Sequence, residues 1–395
     1  MRKLSISRKQ LVIIIYKKEI EMLEDICKKD ISELYKTPIL QQTAFWSIVK
    51  SKVGQNSIAV NFKLNKNSLY SNIISDEIIN SDILVIIQQL NKTDSIAYVP
   101  YGPELEPENE FQGIFLEELS ECLRSFLPKN CFMIRYDLCW EVYWARDLNF
   151  IDETDSSQIE PATKTQEFRL NFNTINWNLR KAYSNILPTN TLFLDLKPDI
   201  NSILERMKPK TRYNIKLSQK KGVVVRVADL EDINIWYELY KETSQRNGIL
   251  LNDIKYFKAI LTAKSDKTKS PADVYYLIAE LDNKPLAAMF LVISAYRGSY
   301  LYGASSNNHR NYMPTYALQW EAIKLSKEKG CKEYDMFGIS PKADNSHPLH
   351  GLYKFKIGFG GDIFQSLGCW DYPLDNDKYN LYKGIELKSQ GYHIN

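Results

Sequence analysis

Residues 207–222, MKPKTRYNIKLSQKKG, divide the chain into two parts that read differently. Six basic residues (Lys208, Lys210, Arg212, Lys216, Lys220 and Lys221) stand there with no acidic residue among them. Lys208, Arg212, Lys216 and Lys220 are spaced by four, so on a helix they form one positive stripe. Like charges at that spacing repel by roughly 0.2–0.5 kcal/mol per pair. Such a stripe either faces open solvent or meets an anion. Downstream of Gly222 the pattern is regular, with strands expected at 223–227, 274–280, 286–293, 299–303 and 333–336. Helices are expected at 230–247 and 314–329, stopped by Gly248 and Gly330. The turn Asp282-Asn283-Lys284 joins two of the strands. This alternation predicts a mixed sheet covered by helices, an α/β layer architecture.

Upstream of the stripe the reading is sparser. Helices are expected at 17–29 and 115–126, and strands at 83–87, 95–100, 132–136 and 191–196. The polar stretch 152–166 reads as a loop, and Pro198 opens a helix leading into the stripe. No repeat is visible in the sequence. A second distinctive segment lies far downstream, GLYKFKIGFGG at 351–361, where aromatic, basic and glycine residues alternate.

Composition bounds the function. With 395 residues, 44% hydrophobic and 25% charged, the chain is long enough for two domains of a soluble globular protein. A formal net charge of only +3 means that anion binding must come from local patches. The apolar run at 11–16 is too short for a signal-peptide core or a membrane span, which points to a cytoplasmic protein. Six scattered cysteines without a C-x-x-C pair fit reduced thiols. His347 and His350 form an H-P-L-H loop without a second ligand pair, so no metal is expected. No P-loop or G-x-G-x-x-G pattern is present.

Taken together, several segments resemble the FemABX family of aminoacyltransferases. Gln42-Thr-Ala-Phe-Trp46-Ser-Ile-Val-Lys50 looks like its early Q-x-x-x-W-x-x-x-K element. Tyr98-Val-Pro-Tyr-Gly-Pro103 and Ile134-Arg-Tyr-Asp137 look like its first-domain strands. The basic segment, Thr243-Ser-Gln-Arg246-Asn-Gly248, Tyr334-Asp-Met-Phe-Gly-Ile339 and 351–361 resemble its later motifs. Order and spacing hold over about 330 residues. The resemblance implies two GNAT-like domains, each a mixed sheet flanked by helices, with a cleft between them. The expected division is 1–188, completed by 369–395, and 189–368. Some members carry a long helical arm after the basic segment. Val223 starts a strand at once here, so no coiled-coil arm is expected.

The resemblance further implies transfer of an amino acid from aminoacyl-tRNA to the stem-peptide amine of a peptidoglycan precursor, lipid-linked or nucleotide-linked. No other cofactor is expected, and the lipid-linked form implies peripheral contact with the inner membrane face. The family's diphosphate-binding lysine and arginine fall on Lys50 and Arg246. Outside the motif these would read as a solvated helix lysine and a helix-end arginine. Phe355 and Lys356 match the Phe-Lys pair near the transfer centre. Aminolysis of an ester passes through a tetrahedral oxyanion, and Lys356 is the candidate cation for it, or for the terminal phosphate-ribose of the tRNA. Tyr302 is a candidate pocket hydroxyl or a core tyrosine. Lys208, Arg212, Lys216 and Lys220 would meet tRNA phosphates or an anionic membrane face. Trp46, Trp320, Phe355, Phe359 and Trp370 are candidates for stacking on bases, with a core role favoured for Trp320. No Ser-His-Asp or Cys-His set supports an acyl-enzyme. Asp137 and Asp335, at strand ends, read as structural hydrogen-bonding groups.

Two other readings stand beside this one. A GNAT acyltransferase using acyl-CoA needs a glycine-bearing loop at a helix N-terminus, and 309–315 (HRNYMPT) has no glycine. A relative that binds precursor or tRNA without turnover would show no transfer.

Overall fold

The computed structural model describes residues 22–71, 75, 77–146, 160–340 and 350–387. Its strands are β1 (Leu23–Lys29), β2 (Asn56–Asn65), β3 (Ile78–Gln89), β4 (Ser95–Val99), β5 (Cys131–Glu141), β6 (Arg180–Lys181) and β7 (Asn190–Asp195). They continue with β8 (Val224–Ala228), β9 (Ala272–Leu281), β10 (Lys284–Ser294), β11 (Arg297–Ser305), β12 (Glu333–Gly338) and β13 (Asp362–Pro373). The helices are α1 (Ala44–Lys52), α2 (Gln112–Arg124), α3 (Thr163–Asn171), α4 (Ile200–Arg206) and α5 (Pro209–Lys220). After them come α6 (Ile233–Asn247), α7 (Ile254–Thr262), α8 (Pro314–Glu328), α9 (His350–Ile357) and α10 (Asn376–Glu386).

The strands follow one hydrogen-bonded order, β1-β2-β3-β4-β5-β13-β7-β12-β11-β10-β9-β8, with β6 beside β13. Two halves of the order repeat each other. In the first, β1 to β4 pair antiparallel in sequence, β4 and β5 pair parallel across α2, and β13 closes antiparallel on β5. In the second, β8 to β11 pair antiparallel, β11 and β12 pair parallel across α8, and β7 closes on β12. The expected pair of GNAT-like mixed sheets is therefore present. A repeat exists although the sequence shows none: the order of pairing recurs while the residues differ. Tyr136 and Tyr334 still hold equivalent places, each reaching its own crossover helix, at Ser120 (2.9 Å) and Gln319 (2.7 Å).

The closing strands are exchanged. β7 follows the first-half elements but closes the second sheet, whereas β13 follows the second-half elements and closes the first. Within β13 the change occurs at Ser366: Asp362–Gln365 pairs with β7 and Ser366–Pro373 pairs with β5. The tail is anchored by Arg135, a buried guanidinium gripping Asp371 (2.7 and 2.8 Å) and Glu386 (2.7 and 2.9 Å). A charge removed from water needs such saturation by partners.

Three large apolar clusters fill the layers, with a small fourth of Ile96, Phe132, Met133 and Tyr379. One lies between the first sheet and α2, and one between the second sheet and α8. The third is shared: Phe45, Trp46 and Val49 of α1 pack with Trp236 of α6, Phe257 of α7 and Phe290 of β10. The backbone of Ala44, at the start of α1, donates to Ser270 Oγ at 2.9 Å, tying the halves at this seam.

Several local expectations are corrected. Residues 23–29 form a strand, because Leu23 and its neighbours pair with β2 and tertiary pairing overrides helix propensity; 17–21 lie outside the described residues. Within the expected loop 152–166, Thr163 opens α3, and 147–159 lie outside the described residues. The helix expected from Pro198 starts at Ile200 under an Asp199 cap and breaks at Met207 and Lys208, both extended. Pro209 then opens α5, so Lys208 precedes the basic helix. Asp137 and Asp335 sit inside β5 and β12 rather than at their ends. Of the proposed stacking aromatics, Trp46, Trp320, Phe359 and Trp370 are buried in the core and closed to bases. As expected, no helical arm intervenes between α5 and β8.

Candidate active site

Lys50 lies in the last turn of α1, where a cation meets the negative end of the helix dipole. Its Nζ is 5.0 Å from the Trp46 ring centroid and 5.6 Å from that of Tyr256. Burial among these rings lowers its pKa. Tyr256, on α7, accepts a 3.1 Å hydrogen bond from the Tyr302 hydroxyl. Burial raises the pKa of both phenols, Tyr256 to about 12, so both keep their protons. A β-bulge at Leu301 decides where Tyr302 points: Phe290 faces Tyr302 while Leu291 faces Tyr300. Tyr302 thereby joins the shared cluster and Tyr300 the cluster under α8.

Three residues beyond Tyr302, β11 ends at Ser305, which holds Arg246. The guanidinium donates to Ser305 O (3.0 Å), Asn307 Oδ1 (2.6 Å), Ser305 Oγ (3.0 Å) and Thr243 Oγ1 (3.3 Å). Gly248 at φ 62° ends α6 two residues after it. Burial, and then the neighbouring Arg310, lower the Arg246 pKa. Two like charges side by side favour an incoming anion. A chain of contacts thus connects Lys50 through Tyr256 to Tyr302, whose strand ends at the Ser305 that holds Arg246, and Tyr256 is the link that sequence reading missed. Its signal, a tyrosine three residues after the Asp253 cap, is indistinguishable from an ordinary core aromatic.

Lys356 and Phe355 lie elsewhere, on α9 beneath the α8 side of the second sheet. Lys356 is buried, and its Nζ donates to Met336 O and Gly338 O, each at 2.7 Å. β11 and β12 pair only over Arg297–Ser299 and Glu333–Asp335 before they part, and the ammonium satisfies carbonyls past that point. Burial pulls the Lys356 pKa down to about 7, opposed by Asp335. Phe355 packs edge-on against Tyr316 (4.9 Å) and Phe359 (5.3 Å).

The basic stripe is divided in role. Arg212 donates to Glu205 O (3.0 Å) and to Met207 O, closing the break between α4 and α5. Lys208, Lys216 and Lys220 are exposed. Lys221 reaches Tyr312 (5.9 Å), bringing the end of α5 close to the turn that precedes α8.

A cavity of about 440 Å³ opens between the halves. Thr191, Phe193, Asp335 and Phe337 line it, whereas Leu192, Leu194, Tyr334 and Met336 pack on the opposite face, as strand alternation requires. Across it, Tyr101 meets Phe337 at 6.2 Å and donates to Pro188 O at 2.6 Å. Asp137 accepts from Tyr98 Oη (3.0 Å) and Leu187 N (2.9 Å), and burial raises its pKa to about 6. Among the described residues no group of three metal-binding side chains occurs.

The model of the FemAB family matches residues 33–270 and 263–387. The chain belongs to the FemAB family. A crystal structure of FemX covers 91% of this chain and 100% of its own, with a TM-score of 0.67 and 18% identity, which establishes the shared fold. The lipid II:glycine glycyltransferase of Staphylococcus haemolyticus is 23% identical over 272 residues, 53% of this chain and 64% of that protein. That of Staphylococcus aureus strain USA300 is 24% identical over 270 residues, again 53% and 64%. The match to these FemAB relatives therefore spans under two thirds of their length.

Proposed function

We propose that this chain is a cytoplasmic aminoacyltransferase of cell-wall cross-bridge synthesis. It moves an amino acid from aminoacyl-tRNA to the stem-peptide amine of a lipid- or nucleotide-linked peptidoglycan precursor. The observation that carries the reading is the pairing of Lys50 and Arg246. They come from opposite halves, are connected through Tyr256, Tyr302 and Ser305, and form no salt bridge among the described residues. A precursor diphosphate fits such a pair, Arg246 as a planar fork and Lys50 as a point charge. Membership of a family containing glycyltransferases of lipid II supports the same substrate class.

In the reaction the acceptor nitrogen attacks the ester carbonyl, the carbonyl oxygen becomes an oxyanion, and collapse expels the tRNA hydroxyl as the nitrogen loses its proton. No covalent enzyme intermediate enters. Lys356 is the assigned cation for the oxyanion, since two of its N–H bonds are fixed on carbonyls and the third has no partner among the described residues. Phe355 supports it by packing. Lys208, Lys216 and Lys220 meet tRNA phosphates, with Arg212 holding the helix that presents them. No helix among the described residues is long and apolar enough to cross a membrane. On this reading a lipid-linked acceptor is met by peripheral contact.

The test offers purified protein a panel of labelled aminoacyl-tRNAs, and separately acetyl-CoA, with a lysine-containing precursor. Label passing from one tRNA is the expected result and names the amino acid. Label passing only from CoA would replace the donor, and binding without transfer would leave a non-catalytic relative.

A further inference from the structure

The cavity between the halves has features that the phosphate-binding surface lacks. The Thr191 side chain is more than nine-tenths buried, lines the cavity, and its hydroxyl has no hydrogen-bond partner. Buried hydroxyls are nearly always satisfied, so an orphan facing a cavity marks a place where a ligand atom completes it. Among the described lining residues the charges are lopsided: Glu333, Asp335 and Asp362 stand with Arg297 as the one cation. Arg297 is already committed, at 2.6 Å from Glu333 and with its guanidinium 4.8 Å from the Phe193 ring centroid. An anion is therefore repelled here. The rest of the wall mixes neutral polar side chains (Gln41, Thr189, Ser299 and Ser366) with an apolar part formed by Ile39, Phe193, Phe337 and Phe364.

We propose that this cavity binds a primary ammonium group carried on a short aliphatic or peptide stem. Thr191 Oγ1 and the Asp335 and Glu333 carboxylates accept its N–H bonds, and the aromatic wall covers the stem. Burial raises the Asp335 pKa, and an arriving ammonium opposes that shift. On the transferase reading, on which the identity of the ligand rests, two substrates carry such a group: the acceptor amine of the stem peptide and the α-amine of the transferred amino acid.

Calorimetric titration of the full chain separates them. One pair of probes is a lysine-containing stem peptide and its Nε-acetylated twin; the other is glycinamide and N-acetylglycinamide. The expected result is that the free amine of one pair binds and its acetylated twin does not. Binding of the lysine probe assigns the acceptor, and binding of glycinamide assigns the donor. Thr191→Val should weaken the bound probe roughly tenfold, as loss of one hydrogen bond to a charged group implies. The same variant should melt no lower without ligand, because it removes an orphan hydroxyl, and Thr191→Ser should keep the affinity. Equal binding of free and acetylated probes, or undiminished affinity in Thr191→Val, overturns the proposal. Because binding is read without tRNA, a failed transfer assay leaves this result intact, and a successful one does not rescue it.

Discussion

Lys356 carries the sharpest prediction at the scale of a residue. Its folded pKa, about 7, lies below the ordinary 10.5 because burial strips water from the ammonium. Between those values the folded chain holds a neutral amine where the unfolded chain holds a cation. Stability linked to this residue therefore rises with pH through that window and is lowest below 7. Catalysis runs the other way: a cation serving an oxyanion is lost as pH rises, so kcat should fall through about pH 7. Lys356→Met should lower kcat at pH 6 and flatten that limb; full turnover by this variant at pH 6 would remove Lys356 from the mechanism. Arg246 and Lys50 should act on binding instead. Arg246→Lys loses the fork that Ser305 and Asn307 hold, and Lys50→Ala loses the point charge. Each should raise the precursor Kd by about tenfold or more, with kcat little changed. Titration with a precursor lacking the diphosphate checks the cause, since both variants should bind it like the parent.

Among elements, α5 makes the corresponding prediction for the donor. Replacing Lys216 and Lys220 by Glu should weaken aminoacyl-tRNA binding and reduce the slope of log K against log salt by roughly 1.5–2, two phosphate contacts' worth. Precursor affinity should not move, and an unchanged salt slope would leave the stripe a solvated face. The same helix shows what sequence could and could not convey. The spacing of its lysines, the Gly248 stop of α6, and the β9–β10 turn at Asp282 and Asn283 (φ 48° and 62°) were all legible, because each is a local rule. Lys50 and Arg246 were singled out by motif, yet nothing local says that Tyr256 packs beside Lys50 and bonds Tyr302. The cavity was illegible for the same reason: Thr191 looks like any strand threonine until β12, β11 and the 38–41 segment surround it. β13 escaped notice because its partner β5 lies more than two hundred residues away, and β1 was read as helix because its pairing with β2 is not a local signal.

For the whole molecule, the shared cluster around Trp46, Trp236 and Phe290 makes the two sheets one thermodynamic unit. Calorimetry should give a single cooperative unfolding transition with a van't Hoff enthalpy equal to the measured one. Two resolved transitions would mean that the seam at Ala44 and Ser270 contributes little. The exchange of closing strands has a consequence for synthesis. While the chain is being made, the β5 edge, buried on both faces in the finished fold, must wait for residues 366–373, more than two hundred positions later. Until then it presents an open strand edge to any passing polypeptide. The first half therefore cannot be finished on the ribosome ahead of the second, and a nascent chain halted before Ser366 should be a client for chaperones rather than a folded intermediate.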